Sequence, residues 1–270
     1  DDALVSFTLA PHAPYTVEDA TLTKIAVLAE ELDLPVHIHL HETVDEVAES
    51  VRRYGQRPLA RLDRLGLVTE RLIAVHAVHL DAAEIALLAQ RGASVAHCPA
   101  SNLKLGSGIA PVTEILAGGI NVGLGTDGAA SNDRLDMVSE MRLAALLAKG
   151  ASRDPSVLPA PAVLEAATLG GARALGLERR IGSIEIGKEA DLAAFDLSEI
   201  ETQPVFNPLS QLVYSAGREH ATDVWVAGRS VVRTRQVLAE AQGAASGSPA
   251  ATLLAWQNRC RRVLQTAGLA

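Results

Sequence analysis

Cysteine is nearly absent from this 270-residue sequence: Cys98 and Cys260 are the only two, and neither falls in a CxxC arrangement. That excludes a disulfide scaffold and makes a reducing cytoplasm the expected compartment. Long apolar runs are missing as well, none approaching the roughly 18 residues of a membrane span, so no membrane partner is expected. Basic charge is short: 24 Lys and Arg face 32 Asp and Glu, for a net charge of −8. Because the basic residues are scattered rather than run together, a nucleic acid polymer is not an expected partner. There is no initiator Met, no signal-like segment and no internal repeat. The start at Asp1-Asp2, a few residues ahead of an apparent strand, reads as a truncation. What is present is ordinary for a soluble globular protein, with 48% hydrophobic and 21% charged residues. The length suits one large α/β domain or one domain with a small companion.

Along the chain, strand and helix signals alternate with short connections. Val5 to Leu9 reads as a strand, Thr16 to Leu32 as a helix, Pro35 to Leu40 as a strand, and Val44 to Arg53 and Pro58 to Leu65 as helices. Arg71 to Val78 is a strand, Ala82 to Gln90 a helix, and Ala93 to His97 a strand. Cys98 to Pro111 carries little periodicity and reads as a long functional loop. Helix Val112 to Ala117, the strand ending at Asp127, and helices Leu135 to Lys149 and Ala160 to Leu169 complete five strand units. Alternation of this kind implies a parallel sheet, and five strands are too few to close a barrel of eight. After about Arg180 short alternating strands and glycine turns indicate a separate small β unit. Ala239 to Ala251 reads as a link, and Leu253 to Leu264 as a terminal helix.

The chemistry concentrates at strand ends. Seven of the eight histidines lie before position 98, at His12, His37, His39, His41, His76, His79 and His97. Period-two alternation puts His37, His39 and His41 on one face of their strand and Val36, Ile38 and Leu40 on the other. Buried imidazoles need either a metal or hydrogen-bond partners, and both readings stand at this point. Glu42 follows just beyond the strand, as a carboxylate over its mouth or as a cap of the next helix. Asp127, in Asn121 to Asn132 (NVGLGTDGAASN), ends an apolar run at a glycine turn. It is either a group at the active mouth of an α/β sheet or a turn or helix cap.

Three motif matches are set aside. Gly123-x-Gly125-x-x-Gly128 fits the dinucleotide fingerprint, but the region about twenty residues on is helical rather than a strand ending in an acidic residue. Ser101-x-x-Lys104 lacks the partner motifs of a serine hydrolase. Cys98 and His97 are neighbours on a strand and so point to opposite faces, which argues against a thiol–imidazole pair.

Taken together, PHAPY at 11–15, HIHLHE at 37–42, HAVHL at 76–80, HCPASNLKLGSGIAP at 97–111 and GTDGAASNDRLDM at 125–137 resemble the amidohydrolase superfamily. Within it, they are most similar to the 5-methylthioadenosine/S-adenosylhomocysteine deaminases. The resemblance continues through GSIEIGKEADLAAFDL to about residue 240. It implies the C-terminal part of a (β/α)8 TIM-type barrel over residues 1–178, part of a small β-sandwich domain over 179–240, and a linker and terminal helix over 241–270. It further implies that His39 and Asp127 bind a divalent metal, one per subunit, zinc with iron or manganese as alternatives. Glu42 is then the proton carrier, His76 orients the attacking water, Asp127 accepts its proton, and His12 lines the substrate pocket beside Glu42 and Asp127. Family members also bear an HxH pair on the first barrel strand, and no match to it precedes His12. The chain therefore resembles the C-terminal portion of an enzyme and is expected to be inactive alone.

The expected activity is hydrolytic deamination of the adenine moiety of 5′-methylthioadenosine or S-adenosylhomocysteine, a small nucleoside, with release of ammonia. Alternatives are a guanine or cytosine deaminase, a triazine chlorohydrolase, or a non-catalytic purine-binding homologue. Homo-oligomerisation stays open.

Overall fold

The expected alternation is realised in a computed structural model, which describes residues 4–238 and scattered positions between 254 and 265. The order begins α1 (Asp19–Leu32), β1 (Val36–Leu40), α2 (Val44–Tyr54), α3 (Pro58–Arg64), β2 (Leu72–His76), α4 (Ala82–Arg91), β3 (Ser94–His97). It continues α5 (Pro99–Lys104), α6 (Val112–Ala117), β4 (Asn121–Leu124), α7 (Met137–Ser152), α8 (Ala160–Glu165) and α9 (Gly171–Ala174). Then follow β5 (Leu192–Phe195), α10 (Pro208–Tyr214), β6 (Ala221–Val226), β7 (Arg229–Arg233) and β8 (Gln236–Val237). Among the described residues, no helix is long and apolar enough to cross a membrane.

Strands β1 to β4 form a parallel sheet in sequential order. Its outer face is apolar because alternate residues of each strand meet the helices. Val36, Ile38, Leu40, Leu72, Ala74, Val95 and Val122 pack against Leu22, Leu59, Leu62, Leu88 and Ile115 in one buried cluster. A second cluster joins α7 and α8 to Val213 of α10. That helix starts at Asn207, whose side chain accepts from the N–H groups of Leu209 and Ser210, a capping arrangement that satisfies otherwise orphaned donors. Strands β5 to β8 form a separate antiparallel sheet. Its β6–β7 hairpin turns through Ala227 and Gly228, both at positive φ, as a two-residue turn compatible with strand twist requires.

Several expectations need correction. Val5 to Leu9 is not a strand: Leu9 makes a single parallel bridge to Val36, and Pro11 has no N–H to give the next ladder bond. The supposed loop Cys98 to Pro111 contains α5, started by Pro99 at its first position, where a missing N–H costs nothing. Helix α7 begins at Met137 rather than Leu135, because the Asp136 side chain accepts from Val138 and Ser139. The helix read as Ala160 to Leu169 runs on through a π-helical turn, Ala166–Gly170, into α9. The small β unit contains α10 besides its strands. The proposed link at 239–251 lies outside the described residues, as does much of the terminal helix read at Leu253 to Leu264.

Gly123 of β4 and Gly170 of the π turn have a packing reason. A Cβ on Gly170 would sit 2.2 Å from the carbonyl oxygen of Val122, and one on Gly123 would sit 3.0 Å from Gly171 Cα. Backbone thus packs on backbone where the π turn crosses β4, and Asn121 Nδ2 donates to Gly170 O at 2.9 Å. Gly170→Ala is expected to destabilise the fold by about 1–3 kcal/mol through overpacking. Gly150→Ala, in α7 with open space around it, is expected to stabilise by roughly 0.5–1 kcal/mol. Urea unfolding of the two variants checks the opposite signs.

Candidate active site

The C-terminal ends of β1, β2 and β4 meet at one rim, and each leaves the sheet through a left-handed residue: His41 (φ 54°), His76 and Ala77 (72° and 50°) and Asp127 (60°). Non-glycine residues in this region cost on the order of 1–3 kcal/mol each and cluster where surrounding structure over-determines them. Of these residues Asp127 lines a cavity of about 460 Å³ at the rim. His12, His37, His39, Cys98 and Asp127 line it together with the inward residues of the sheet.

The alternation of β1 holds through Leu40. Val36, Ile38 and Leu40 are buried against the helices, while His37 and His39 face the cavity. His41 breaks the pattern, and the expectation that it shares their face is wrong. It is fully buried on the helix side, where Nε2 accepts from Leu59 N–H at 3.1 Å and lies 3.2 Å from Glu84 Oε1. Behind it, Arg57 forks onto Glu84 at 2.8 and 2.7 Å and donates to the carbonyl of His79 at 2.6 Å. Burial holds His41 neutral and pulls its pKa to about 4, against the nearby Glu84 charge.

On the cavity side, His39 Nδ1 hydrogen-bonds the carbonyl of His12. Its Nε2 is thereby left with a lone pair, since the carbonyl only accepts. The His39 ring stacks on His76 at 5.4 Å, 16° from parallel. His76 Nδ1 is 2.8 Å from Asn102 Oδ1, which again puts the proton on Nδ1 and the lone pair on Nε2. That nitrogen sits 3.8 Å from Glu42 Oε2 and 4.0 Å from Asp127 Oδ2, too far for a hydrogen bond. Two carboxylates and an imidazole lone pair facing one another repel unless a proton or cation lies among them. With His39 on the same cavity, the imidazole and carboxylate donors fit a divalent first-row metal, and the outer hydrogen bonds to His39 and His76 are of the kind that orient metal ligands. Away from the rim, Glu199, Glu201 and His220 bring ligand-type atoms within 4.8 Å of one another, in the second sheet's flanking turns.

Neither carboxylate is a helix cap. Thr43 caps α2 and Asp136 caps α7, which frees Glu42 and Asp127 for the rim. Asp127 Oδ2 accepts from Ser101 Oγ at 2.6 Å and Oδ1 from Gly128 N–H at 2.6 Å. Burial opposes its ionisation, but those hydrogen bonds and the His76 ring outweigh it, so the carboxyl lies below its ordinary range. Glu42 accepts from Ser107 Oγ at 3.2 Å, and the Ser107 carbonyl meets His79 Nε2 at 2.8 Å. His12 stands beside His39, ring centroids 5.0 Å apart. His97 is buried and, unlike Cys98, does not line the cavity; its pKa is lowered to about 4 by burial and by His76. Burial and the Asp127 charge push the Cys98 thiol up to about 12, so it is no nucleophile.

Ser101, Asn102, Ser107 and Glu46 were not singled out as site residues from the sequence. Ser101 drew notice only through the serine–lysine spacing, yet Lys104 bonds Asp133 at 2.7 Å and the carbonyl of Ala130 instead. The signal that could have found Glu46 is its capping-box spacing from Thr43 at the start of α2; Asn102, inside α5, and Ser107, just beyond it, carried no such local signal.

The chain matches the amidohydrolase family over residues 1–231 and belongs to that family. Among curated relatives, it is 49% identical over 234 residues to a 5-methylthioadenosine/S-adenosylhomocysteine deaminase of Teredinibacter turnerae, covering 87% of this chain and 53% of that protein. A protein of the same name from Desulforudis audaxviator is 52% identical, with 87% and 54% covered. Among solved structures, a zinc-bound adenosine deaminase from Xanthomonas campestris superposes with a TM-score of 0.92 at 54% identity, covering 98% of this chain and 59% of that one. A zinc-bound atrazine chlorohydrolase mutant from Arthrobacter aurescens gives 0.82 at 31% identity, covering 86% and 51%. The chain spans about half the length of the curated relatives it matches.

The neutral, buried His41 and His97 make stability depend on pH. Their folded pKa values of about 4 lie below the ordinary 6.5, so the folded state binds fewer protons than the unfolded one. Their contribution is whole above about pH 6.5 and is lost as pH falls toward 4. Thermal melting of wild type and His41→Gln between pH 7 and pH 4 should show a shallower fall for the variant. The raised carboxyls of Glu46 and Glu140 act in the opposite sense in both proteins and cancel in that comparison.

Proposed function

We propose that the protein carrying this chain is a zinc-dependent hydrolytic deaminase of 5′-methylthioadenosine or S-adenosylhomocysteine, converting the adenine moiety to hypoxanthine with release of ammonia. The observation that carries the reading is the convergence of Glu42 and Asp127 on His76 Nε2, at 3.8 and 4.0 Å, in a family whose relatives at about half sequence identity carry that name. In the same reading, the parallel sheet is part of a (β/α)8 barrel over residues 1–178, and the antiparallel sheet part of a β-sandwich over 179–240.

His39 and Asp127 would hold the metal. When bound, a divalent cation would act as a Lewis acid, lowering the pKa of its bound water to about 7. The remaining chemistry belongs to side chains. His76, with its proton fixed on Nδ1 by Asn102, accepts from the attacking water through Nε2 and fixes its approach. Asp127, held ionised by Ser101 and Gly128, takes the proton that the water sheds. Glu42, steadied by Ser107, delivers a proton to the purine ring nitrogen, which makes the adjacent carbon electrophilic. The proton taken up by Asp127 then passes to the amino group, which leaves the tetrahedral carbon as ammonia, while the hydroxyl proton returns to Glu42 as the carbonyl forms, so one water is consumed for each ammonia released. His12 lines the purine pocket next to His39.

Ammonia release by the intact protein across adenosine analogues, guanine, cytosine and chlorotriazines tests the assignment. Turnover of the thioether adenosines is expected, and activity confined to guanine or the triazines defeats it. Near-stoichiometric zinc, iron or manganese is expected, and metal-free active protein refutes the site. Glu42→Gln should lower kcat by about 10²–10⁴-fold, the usual range for a lost general acid, with little change in KM.

A further inference from the structure

Period-two alternation places Glu42 in line with Val36, Ile38 and Leu40, which face the helices. The structure shows the reverse: His41 is buried on the helix side and Glu42 stands at the rim, 3.8 Å from His76 Nε2. The exchange happens at the left-handed His41 (φ 54°), a conformation that must be held by its surroundings.

One side chain grips both peptides there. Glu46, on α2 and only 5% exposed, accepts from His41 N–H through Oε1 at 3.0 Å and from Glu42 N–H through Oε2 at 2.7 Å. Its own N–H donates to Thr43 Oγ1 at 3.1 Å, as the first half of a capping box would require. The second half differs from the box in α4, where Glu84 reaches back to the N–H of its cap residue Asp81 at 3.0 Å. Glu46 reaches one and two residues further, onto the strand exit itself. Burial pushes its carboxyl up, against the pull of the peptide N–H groups of Glu42, His41 and Thr43.

We propose that Glu46 is a positioning residue of this site: its carboxylate clamps the successive peptides of His41 and Glu42 and so turns the Glu42 side chain out of the sheet's packing pattern and onto the rim. The proposal rests on the deaminase reading for its kinetic consequence, but not for its geometric one.

The test compares Glu46→Gln, Glu42→Gln and the double variant in the intact protein. Glu46→Gln keeps the side chain's volume and one acceptor, so the fold survives even where Glu46→Ala fails to fold. Its kcat should fall about 100-fold, the scale of a misplaced catalytic group, with KM within about twofold and bound metal unchanged. In the Glu42→Gln background, the same substitution should cost less than about twofold more, because both act through one group. Wild-type kcat in folded Glu46→Gln, or an equal loss in both backgrounds, overturns the proposal. A crystal structure of Glu46→Gln gives a readout free of activity: the Glu42 carboxylate should leave His76 while His39, His76 and Asp127 stay in place. Should wild type deaminate no adenosine analogue, the functional reading falls and this displacement alone decides. A Glu42 still at His76 with His41 still left-handed refutes the clamp.

Discussion

The left-handed exits of β1, β2 and β4 are the constraint on which the rim depends. Parallel pairing in register carries Leu40 alongside His76 and His97 alongside Leu124, so neighbouring strand ends finish at similar heights. Continued as ordinary extended chain, those ends would keep sending alternate side chains into the helix layer. A backbone that turns left-handed at His41, His76 and Asp127 redirects them instead, and Glu42, His76 and Asp127 gather around one point.

That redirection is supported from behind. Arg57, Glu84 and His41 form a buried polar cluster under the strand exits, in which a bidentate ion pair also binds the carbonyl of His79. An Arg fork matched to a carboxylate holds geometry better than a point charge does. The cluster and Glu46 brace the exit of β1 on two sides. Glu140 does the same for Asp127: it accepts from Asn132 Nδ2 at 2.6 Å and from Ala100 N–H at 3.0 Å, tying α7 to the GTDG turn and the start of α5. Ionisable groups that never touch the cavity are thus committed to holding those that do.

The two faces of β1 divide the labour in the same way. Its outward residues join the largest apolar cluster, while His37 and His39 on the other face are spared a dry interior by the cavity they line. The inner face of β4 is cleared by glycine. A side chain at Gly123 would strike Gly171, so α9 and the π turn lie against bare backbone beside the cavity.

Much of this was legible in the residues alone. Hydrophobic periodicity located β1 to β4 and most flanking helices within a few residues, and the apolar and histidine faces of β1 followed from period two. The ordered motifs led to the family and to His39, Glu42, His76 and Asp127 as the candidate set. What the chain could not reveal locally was the direction of each group past a strand end. The fate of His41 is set by a hydrogen bond from Leu59, eighteen residues on, and that of Glu42 by Glu46 and Ser107. Whether Glu42 and Asp127 capped helices depended on Thr43 and Asp136 taking those places first. The alternation rule is a property of extended backbone and lapses where φ turns positive. Local sequence therefore determined the elements and their faces, and only tertiary contacts decided which side chains the turns would deliver to the rim.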